Sequence, residues 1–377
     1  MAVFFSKARS GRRVWMHCAS LGEFEQGKPV LEALRSQYPD IIILLTFFSP
    51  SGYRIRKNWS GADLICYLPG DTRKEANRWI SVVRPDLFIL VKYEFWWTLL
   101  DTLHQRGVRT MLISGAFSKN HYIFWPGMGA FRQILGSMNH LFLQQESSAR
   151  VLRRYGINQC TLSGDNRVDS VLQNTKIPYT PDWLTVSQRK YNNVIVFGSV
   201  WEQDLPVILD IIKNRVDDIH IIAPHDISQR HIAFWDQSVK EETGKVSGSI
   251  GSPRIWVVDV IGQLKYIYRF ASAAYIGGGF GSGLHNTLEP AVYEIPIFFG
   301  PKYRKFAEAV HMVEEGTAFP VKSGKEFEHK LNEILEANDK LESIRQKQRQ
   351  FFSQNAGATC VVMKYIESNI FSDELRK

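Results

Sequence analysis

Glu23 closes the segment Ser20-Leu21-Gly22-Glu23 directly after a β-rich run. Glu94 lies in Lys92-Tyr93-Glu94-Phe95-Trp96-Trp97, directly after another. A carboxylate at a strand end can act as a general base toward a hydroxyl, an activation of roughly 10²–10⁴-fold. At Glu23 it can equally complement the dipole of the helix that Gly22 turns into. Glu94 neighbours three aromatic residues, a setting in which burial raises a carboxyl pKa. The other reading of that segment is a Lys92–Glu94 surface pair with its aromatics in the core. Gly164-Asp165-Asn166-Arg167-Val168-Asp169 offers Arg167, either a cation for developing negative charge or a solvated loop residue.

The run Gly277-Gly278-Gly279-Phe280-Gly281-Ser282-Gly283-Leu284-His285-Asn286-Thr287-Leu288-Glu289-Pro290 leads from a β-rich segment through a glycine-rich loop into a helix. Backbone N–H groups and the positive helix end make a site for an anion there. Asn286 and Glu289 are three residues apart, which puts both on one helix face, and the carboxylate can accept from ribose hydroxyls. The spacing does not fit the Gly-x-x-x-x-Gly-Lys-Ser/Thr phosphate loop. Gly198-Ser199-Val200-Trp201-Glu202, Pro224-His225 and Ile261-Gly262-Gln263 follow three further β-rich runs, where a nucleotide would lie. His225 by itself also reads as a structural histidine.

The elements that must hold these segments alternate short β-rich runs with longer amphipathic stretches, the pattern of α/β layers on a parallel sheet. Strands are expected at Val14–Ala19, Ile41–Phe47, Leu64–Leu68, Leu87–Val91, Thr110–Ser114 and His140–Gln144, with helices such as Lys28–Gln37 and Arg73–Val83 between them. Asn174–Trp183, with Pro178 and Pro181, reads as a linker. A second set follows at Val194–Gly198, Ile219–Ala223, Ile255–Asp259, Ala274–Gly277 and Ile295–Phe299, and Glu326–Ile366 reads as mostly helical. The expected organisation is an N-terminal Rossmann-like domain over residues 1–173, a linker at 174–190, a C-terminal Rossmann-like domain at 191–355 and a helical tail at 356–377 packing back on the first domain. Two such domains would face each other across a cleft, with ligands beyond the carboxyl ends of the strands.

A chain of 377 residues suits two domains, and 44% hydrophobic with 22% charged residues excludes disorder. The net charge of +8 suits an anionic partner: nucleic acid, an acidic membrane or phosphorylated small molecules. Scattered basic residues without a recognition motif make nucleic acid the weakest of the three. Cys18, Cys66, Cys160 and Cys360 are far apart, which argues against a metal knuckle or disulfide framework and for a reducing compartment. His17 and Cys18 are strand neighbours pointing to opposite faces, a poor catalytic pair. No apolar run reaches the ~20 residues that span a bilayer. The start carries a short apolar patch, Ala2 to Phe5, then Lys7, Arg9, Arg12 and Arg13, too short for a signal peptide. The expected place is cytoplasmic, with any membrane contact peripheral.

In order along the chain, the segments from His17 to Glu23, Thr46-Phe47-Phe48-Ser49-Pro50-Ser51-Gly52, Glu94-Phe95-Trp96, and Ser282 to Pro290 followed by Gly300-Pro301 resemble the motifs of the 3-deoxy-D-manno-octulosonic acid (Kdo) transferases. The resemblance runs from Trp15 over nearly the whole chain. It implies a GT-B fold, CMP-Kdo as donor, a lipid A precursor as acceptor, and inversion without a bound metal or other cofactor. It further implies that Glu23 accepts the proton and that Glu94 and Arg167 assist the transition state. The donor's CMP is expected at Ser199, Glu202, Pro224, His225, Ile261, Gly262 and Gln263, and at Gly283, His285, Asn286, Thr287, Leu288 and Glu289. The acceptor is expected at Ser20, Gly22, Ser49, Gly52 and Lys92. The chain departs from the family pattern where Arg167 stands for a common lysine, His225 for an arginine, Gln263 for a glutamate and Lys302 for a histidine. The usual N-terminal anchor is expected to be absent or cut short.

An acylated, phosphorylated acceptor would place the enzyme at the cytoplasmic face of the inner membrane. Tyr122-Ile123-Phe124-Trp125-Pro126-Gly127-Met128 is either an interfacial surface or core, and Arg54, Arg56, Lys57 and Lys119 could meet lipid phosphates. Asp217-Asp218 reads as a solvated loop, not a metal motif. A sugar-nucleotide 2-epimerase and a non-catalytic nucleotide- or lipid-binding protein are the rival readings. An epimerase would release product without any lipid.

Overall fold

A computed structural model describes residues 11–92, 94–184, 190–248, 253–281 and 283–372. The chain forms two compact units, Met1–Ser170 together with Asn355–Lys377, and Val171–Gln354.

Seven parallel strands build the first unit: β1 (Arg13–Cys18), β2 (Ile42–Phe47), β3 (Leu64–Tyr67), β4 (Leu87–Val91), β5 (Arg109–Gly115), β6 (His140–Leu143) and β7 (Cys160–Leu162). They lie in the order β3-β2-β1-β4-β5-β6-β7. The helices are α1 (Leu21–Gln37), α2 (Pro50–Arg56), α3 (Arg73–Val83), α4 (Trp97–Gln105), α5 (Gly129–Ser137), α6 (Glu146–Arg153) and α7 (Asn166–Thr175). The strands are near-continuous apolar runs because helices cover both faces of the sheet. Trp15, Leu44, Phe88, Leu90 and Leu112 pack with residues of α3 to α6. Their neighbours Met16, Leu45, Ile89, Val91 and Met111 turn the other way, as a strand's period of two requires, and pack with α1 and with Val362, Ile366 and Ile370 near the carboxyl end.

The second unit repeats the plan with β8 (Val194–Val200), β9 (Ile219–Pro224), β10 (Thr243–Lys245), β11 (Ile255–Val257), β12 (Ala273–Ile276), β13 (Ile297–Phe299) and β14 (Ala318–Pro320), again all parallel, in the order β10-β11-β9-β8-β12-β13-β14. Its helices are α8 (Leu205–Asn214), α9 (Gln229–Val239), α10 (Leu264–Ile267), α11 (Leu288–Ala291), α12 (Ala307–Glu314), α13 (Gly324–Leu335) and α14 (Asn338–Asn355); α15 (Ala358–Tyr365) follows in the first unit. Ile195, Phe197, Tyr275 and Phe298 pack against Val207, Ile211, Trp235, Phe327 and Leu331 on one face.

Several elements differ from the sequence expectation. Helix α1 starts at Leu21, not Lys28, because the Ser20 hydroxyl caps the Glu23 N–H at 3.4 Å. Pro29 therefore lies inside the helix, buried, where the packing of Val30, Leu31 and Leu34 outweighs its local cost. Helix α7 runs to Thr175, over the start of the expected linker. Asp218 is not solvated: it is 3% exposed and holds Asn193 and the Arg215 guanidinium. Residues Ala2 to Arg9, Tyr93 and Ser282 lie outside the described residues.

Candidate functional site

Each sheet reverses its strand order once, between β1 and β4 in the first unit and between β8 and β12 in the second. Ligands of such sheets sit at the carboxyl ends of the strands at that switch point. In the first unit these ends deliver Glu23 after β1 and Lys92 with Glu94 after β4. Glu23 is 7% exposed. Its Oε2 accepts from the Ala19 N–H, and the Ser20 N–H also favours the charged carboxylate. Burial pushes the Glu23 carboxyl up to about 7; the Ala19 N–H and Lys92 pull it down, and the nearby charge of Glu94 pushes it further up. Glu94 is exposed, and partial burial raises its carboxyl more modestly. Lys92 adopts a left-handed backbone (φ 63°), a strain that a strand end keeps only when its surroundings impose it.

A buried relay stiffens this switch point. The Trp15 indole N–H donates to Thr46 Oγ1 at 2.9 Å, and Thr46 Oγ1 in turn lies 3.0 Å from His17 Nδ1. The Trp96 indole N–H donates to His17 Nε2 at 3.1 Å, so the histidine carries its proton on Nδ1 and donates to Thr46. Burial holds His17 down to about 3, which keeps the ring neutral. Ser20 and Ser49 both cap helices, and the Ser49 N–H donates to the Ala19 carbonyl at 2.7 Å, tying the end of β2 to that of β1. Gly22 is exposed. Gly52 is buried where a Cβ would lie 2.6 Å from Phe47, so its role in the expected acceptor set is to let α2 come close. Arg167 forms an ion pair with Asp165 at 2.7 Å, and Asp165 also accepts from Gln26, one turn beyond Glu23 on α1.

In the second unit, β8 carries Ser199, left-handed (φ 54°), at a bulge just before its last residue, and β12 leads into Gly277-Gly278-Gly279. A Cβ on Gly277 would lie 2.4 Å from the Ser199 carbonyl oxygen, so this glycine serves the close approach of the two strand ends. Buried Asp204 fastens the pair. It accepts from the Trp201 N–H (2.9 Å), the Gly278 N–H (3.1 Å) and the Tyr275 hydroxyl (2.8 Å). Trp201, His225 and His285 stack, with ring centroids 4.2 and 4.4 Å apart, and the Trp201 indole N–H donates to His285 Nε2 at 2.9 Å. Burial first, then the neighbouring His225, takes His285 down to about 4, so it is neutral with its proton on Nδ1. Burial likewise lowers His225.

Asn286 Nδ2 donates to Glu289 Oε1 at 3.3 Å, and Asn286 Oδ1 accepts from the Leu288 N–H at 3.1 Å. The two residues meet as expected, but not on a helix face: α11 spans only Leu288–Ala291, and Asn286 caps it from outside. Thr287 and Leu288 are buried, and the Thr287 hydroxyl has no partner among the described residues. Pro224 is buried in β9, Glu202 and Gly262 are exposed, and Gly283 is half-buried. Ile261 is exposed, and Gln263 Oε1 accepts from the Tyr179 hydroxyl at 2.9 Å. Among the described residues, no group of three or more His, Cys, Asp or Glu could hold a metal ion.

A family model described as 3-deoxy-D-manno-octulosonic-acid transferase (kdotransferase) matches residues 2–170. The 3-deoxy-D-manno-octulosonic acid transferase of Rickettsia felis is 27% identical over 373 residues, covering 94% of this chain and 76% of that protein. Residues 2–170 thus carry the domain of the Kdo transferase family, and relatives of that name match along most of the rest of the chain. The chain is a glycosyltransferase. A putative UDP-N-acetylglucosamine 2-epimerase from Listeria monocytogenes superposes with TM-score 0.65 at 12% identity, covering 97% of this chain and 98% of its own. The glycotransferase of kitacinnamycin superposes with TM-score 0.59 at 12% identity, covering 94% and 98%. These likenesses give the transferase its fold, a GT-B pair of Rossmann-like units.

Sequence reasoning missed Asp204, the Trp201 indole and the His17 relay of this transferase. The one signal for Asp204 is an acidic residue ahead of Leu205-Pro206, a helix-start pattern that says nothing of three donors converging on it. Two expectations about the lipid side need revision. Arg56 is not a free cation, since it pairs with Glu25 at 2.7 Å. The 122–128 segment is neither all core nor all surface: Ile123 and Phe124 are buried and Trp125 is 55% exposed.

Proposed function

We propose that this transferase moves Kdo from CMP-Kdo to a hydroxyl of a lipid A precursor, with inversion at the anomeric carbon. The observation that carries the reading is Glu23: a carboxylate at the switch point, held by backbone N–H groups at the end of β1 and set by burial to take up a proton near neutrality. An alcohol ionises far above pH 7, so its attack needs such a base. As the acceptor oxygen bonds to the anomeric carbon, its proton passes to Glu23. The bond from that carbon to the phosphate oxygen breaks, and CMP leaves with the electron pair. One displacement inverts the centre. Glu94 faces the positive charge that develops on the sugar, and Arg167, steered by Asp165, meets negative charge on donor or acceptor. The donor's CMP is assigned to the second unit, with the phosphate at the glycine loop and His285, and the ribose at Glu289.

The test is one incubation with CMP-Kdo and lipid A precursor, read as CMP release and as lipid mass. Glu23→Gln is expected to transfer roughly 10²–10⁴-fold more slowly while still binding CMP-Kdo. Wild-type turnover by that variant would overturn the assignment. An epimerase would leave the lipid mass unchanged. The reaction is proposed to need no metal, so turnover persists in EDTA; loss restored by Mg²⁺ would reject this part.

We place the enzyme peripherally at the cytoplasmic face of the inner membrane. No described helix is long and apolar enough to cross a membrane. Arg54, Lys57, Lys119 and Trp125 are exposed cations and an exposed indole suited to an anionic interface. Sedimentation with anionic vesicles, reversed by salt, is expected; equal sedimentation with zwitterionic vesicles would contradict it.

A further inference from the structure

Between the carboxyl ends of β2 and β4, which flank β1, two aromatic rings meet above the strand that leads to Glu23. Phe48 and Trp96 have centroids 4.8 Å apart at 55°. Phe48 is 56% exposed despite this contact. An isolated exposed phenylalanine is ordinary on a protein surface. Here its partner is not free to fold over it, because the Trp96 indole N–H is held by His17, and His17 by Thr46 inside the sheet. Phe95, the residue between Glu94 and Trp96, packs into the core beside Phe117, which anchors the segment from its other side. The result is a fixed apolar shelf bordered by hydrogen-bonding groups: Glu94, Glu23 and Ser49.

We propose that Phe48 and Trp96 form a stacking shelf for a pyranose ring of the acceptor, with Glu94 and Ser49 taking the hydroxyls at the edge of that ring. This rests on the acceptor of the reaction above being a sugar. The chemistry is that of an aromatic face, negative at its centre, against the polarised C–H bonds on one side of a sugar ring. The ring's hydroxyls then point outward, where Ser49, next to Phe48, and Glu94, two residues before Trp96, offer acceptors. A fatty chain would use the apolar shelf but leave those acceptors unpaired at its edge, which is why a sugar is the assigned occupant. The shelf also gives the base its aim: a pyranose seated there presents an edge hydroxyl toward β1, the strand that delivers Glu23.

The experiment compares wild type, Phe48→Ala and Phe48→Tyr with the acylated acceptor and with the fully deacylated, phosphorylated disaccharide. Phe48→Ala is expected to raise the KM for both acceptors about three- to tenfold, with donor KM unchanged, and Phe48→Tyr to restore it. An unchanged acceptor KM overturns the shelf. A rise confined to the acylated acceptor also overturns it, since the rings then meet acyl chains. Direct titration of the deacylated disaccharide into the same proteins separates this proposal from the reaction. An inactive wild type that binds the sugar through Phe48 rejects the reaction and keeps the shelf. A wild type that neither transfers nor binds rejects both.

Discussion

At the scale of single residues, Glu23 is held to two demands that oppose each other. A base must be ionised to work, and burial makes ionisation costly. With its carboxyl raised to about 7, the proposed reaction's kcat/KM should climb with pH to a midpoint near 7. Glu94→Gln removes a like charge and should move that midpoint to lower pH; a midpoint unmoved would show that Glu94 does not reach Glu23. The same shift has a stability consequence of fixed sign. A raised carboxyl stabilises the fold relative to the unfolded chain only while protonated, so wild-type stability falls as pH rises from about 4.5 toward 7. Glu23→Gln escapes that fall, by on the order of 2–3 kcal/mol, and its melting temperature should exceed that of wild type at pH 8.5 and converge with it at pH 5. Glu23 was legible in the sequence because strand, turn and carboxylate are contiguous there. The neutral, doubly hydrogen-bonded state of His17 was not, because it depends on Thr46 and Trp96, which are distant in sequence.

Among the elements, most strands were legible and three short edge strands were not. Leu87–Val91 and Arg73–Val83 end where their patterns end, whereas β7, β10 and β14 are too short to show a period and are fixed only by pairing with a neighbour. The glycine loop was legible as a loop, but the reason for its glycines was not. Gly277 and Gly279 are small because the backbones of Ser199 and Gly300 press against them. Asp204 then turns this packing into a fixed loop. In Asp204→Asn the amide oxygen can keep the Trp201 and Gly278 N–H groups, but its N–H₂ then faces the Tyr275 hydroxyl, whose proton loses its acceptor, at a cost of about 1–3 kcal/mol. The expected result is a CMP dissociation constant and donor KM raised about tenfold, with acceptor KM unchanged. Tyr275→Phe, which removes a single donor, should weaken CMP less. Equal CMP affinity in all three proteins would mean that the loop does not carry the nucleotide.

For the molecule as a whole, the two-unit plan was legible from repeated alternation of strands and helices, but the boundaries obey packing more than composition. The first unit is discontinuous in sequence: Asn355–Lys377 returns to it after the second unit is complete. Asp169 accepts from the Gly357 and Thr359 N–H groups and so caps α15, and the Arg12 guanidinium donates to the Phe371 carbonyl and lies over its ring. Val362, Met363, Ile366, Ile370 and Phe371 are buried there against the sheet. Each such side chain contributes roughly 1.5–3 kcal/mol, and together they match a typical domain's whole stability of about 5–15 kcal/mol. A chain ending at Gln354 should aggregate, while residues 171–354 alone should give a cooperative melt; a soluble, sharply melting truncation would refute this. The return of residues 355–372 also fixes an order in time. A ribosome delivers the amino-terminal sheet first and the segment that seals it only after the second unit, so the half bearing the proposed base waits, one flank bare, through synthesis of that whole unit. Whatever guards nascent chains must shield that flank until those residues emerge, and a premature stop anywhere between disables the part of the enzyme that was made first.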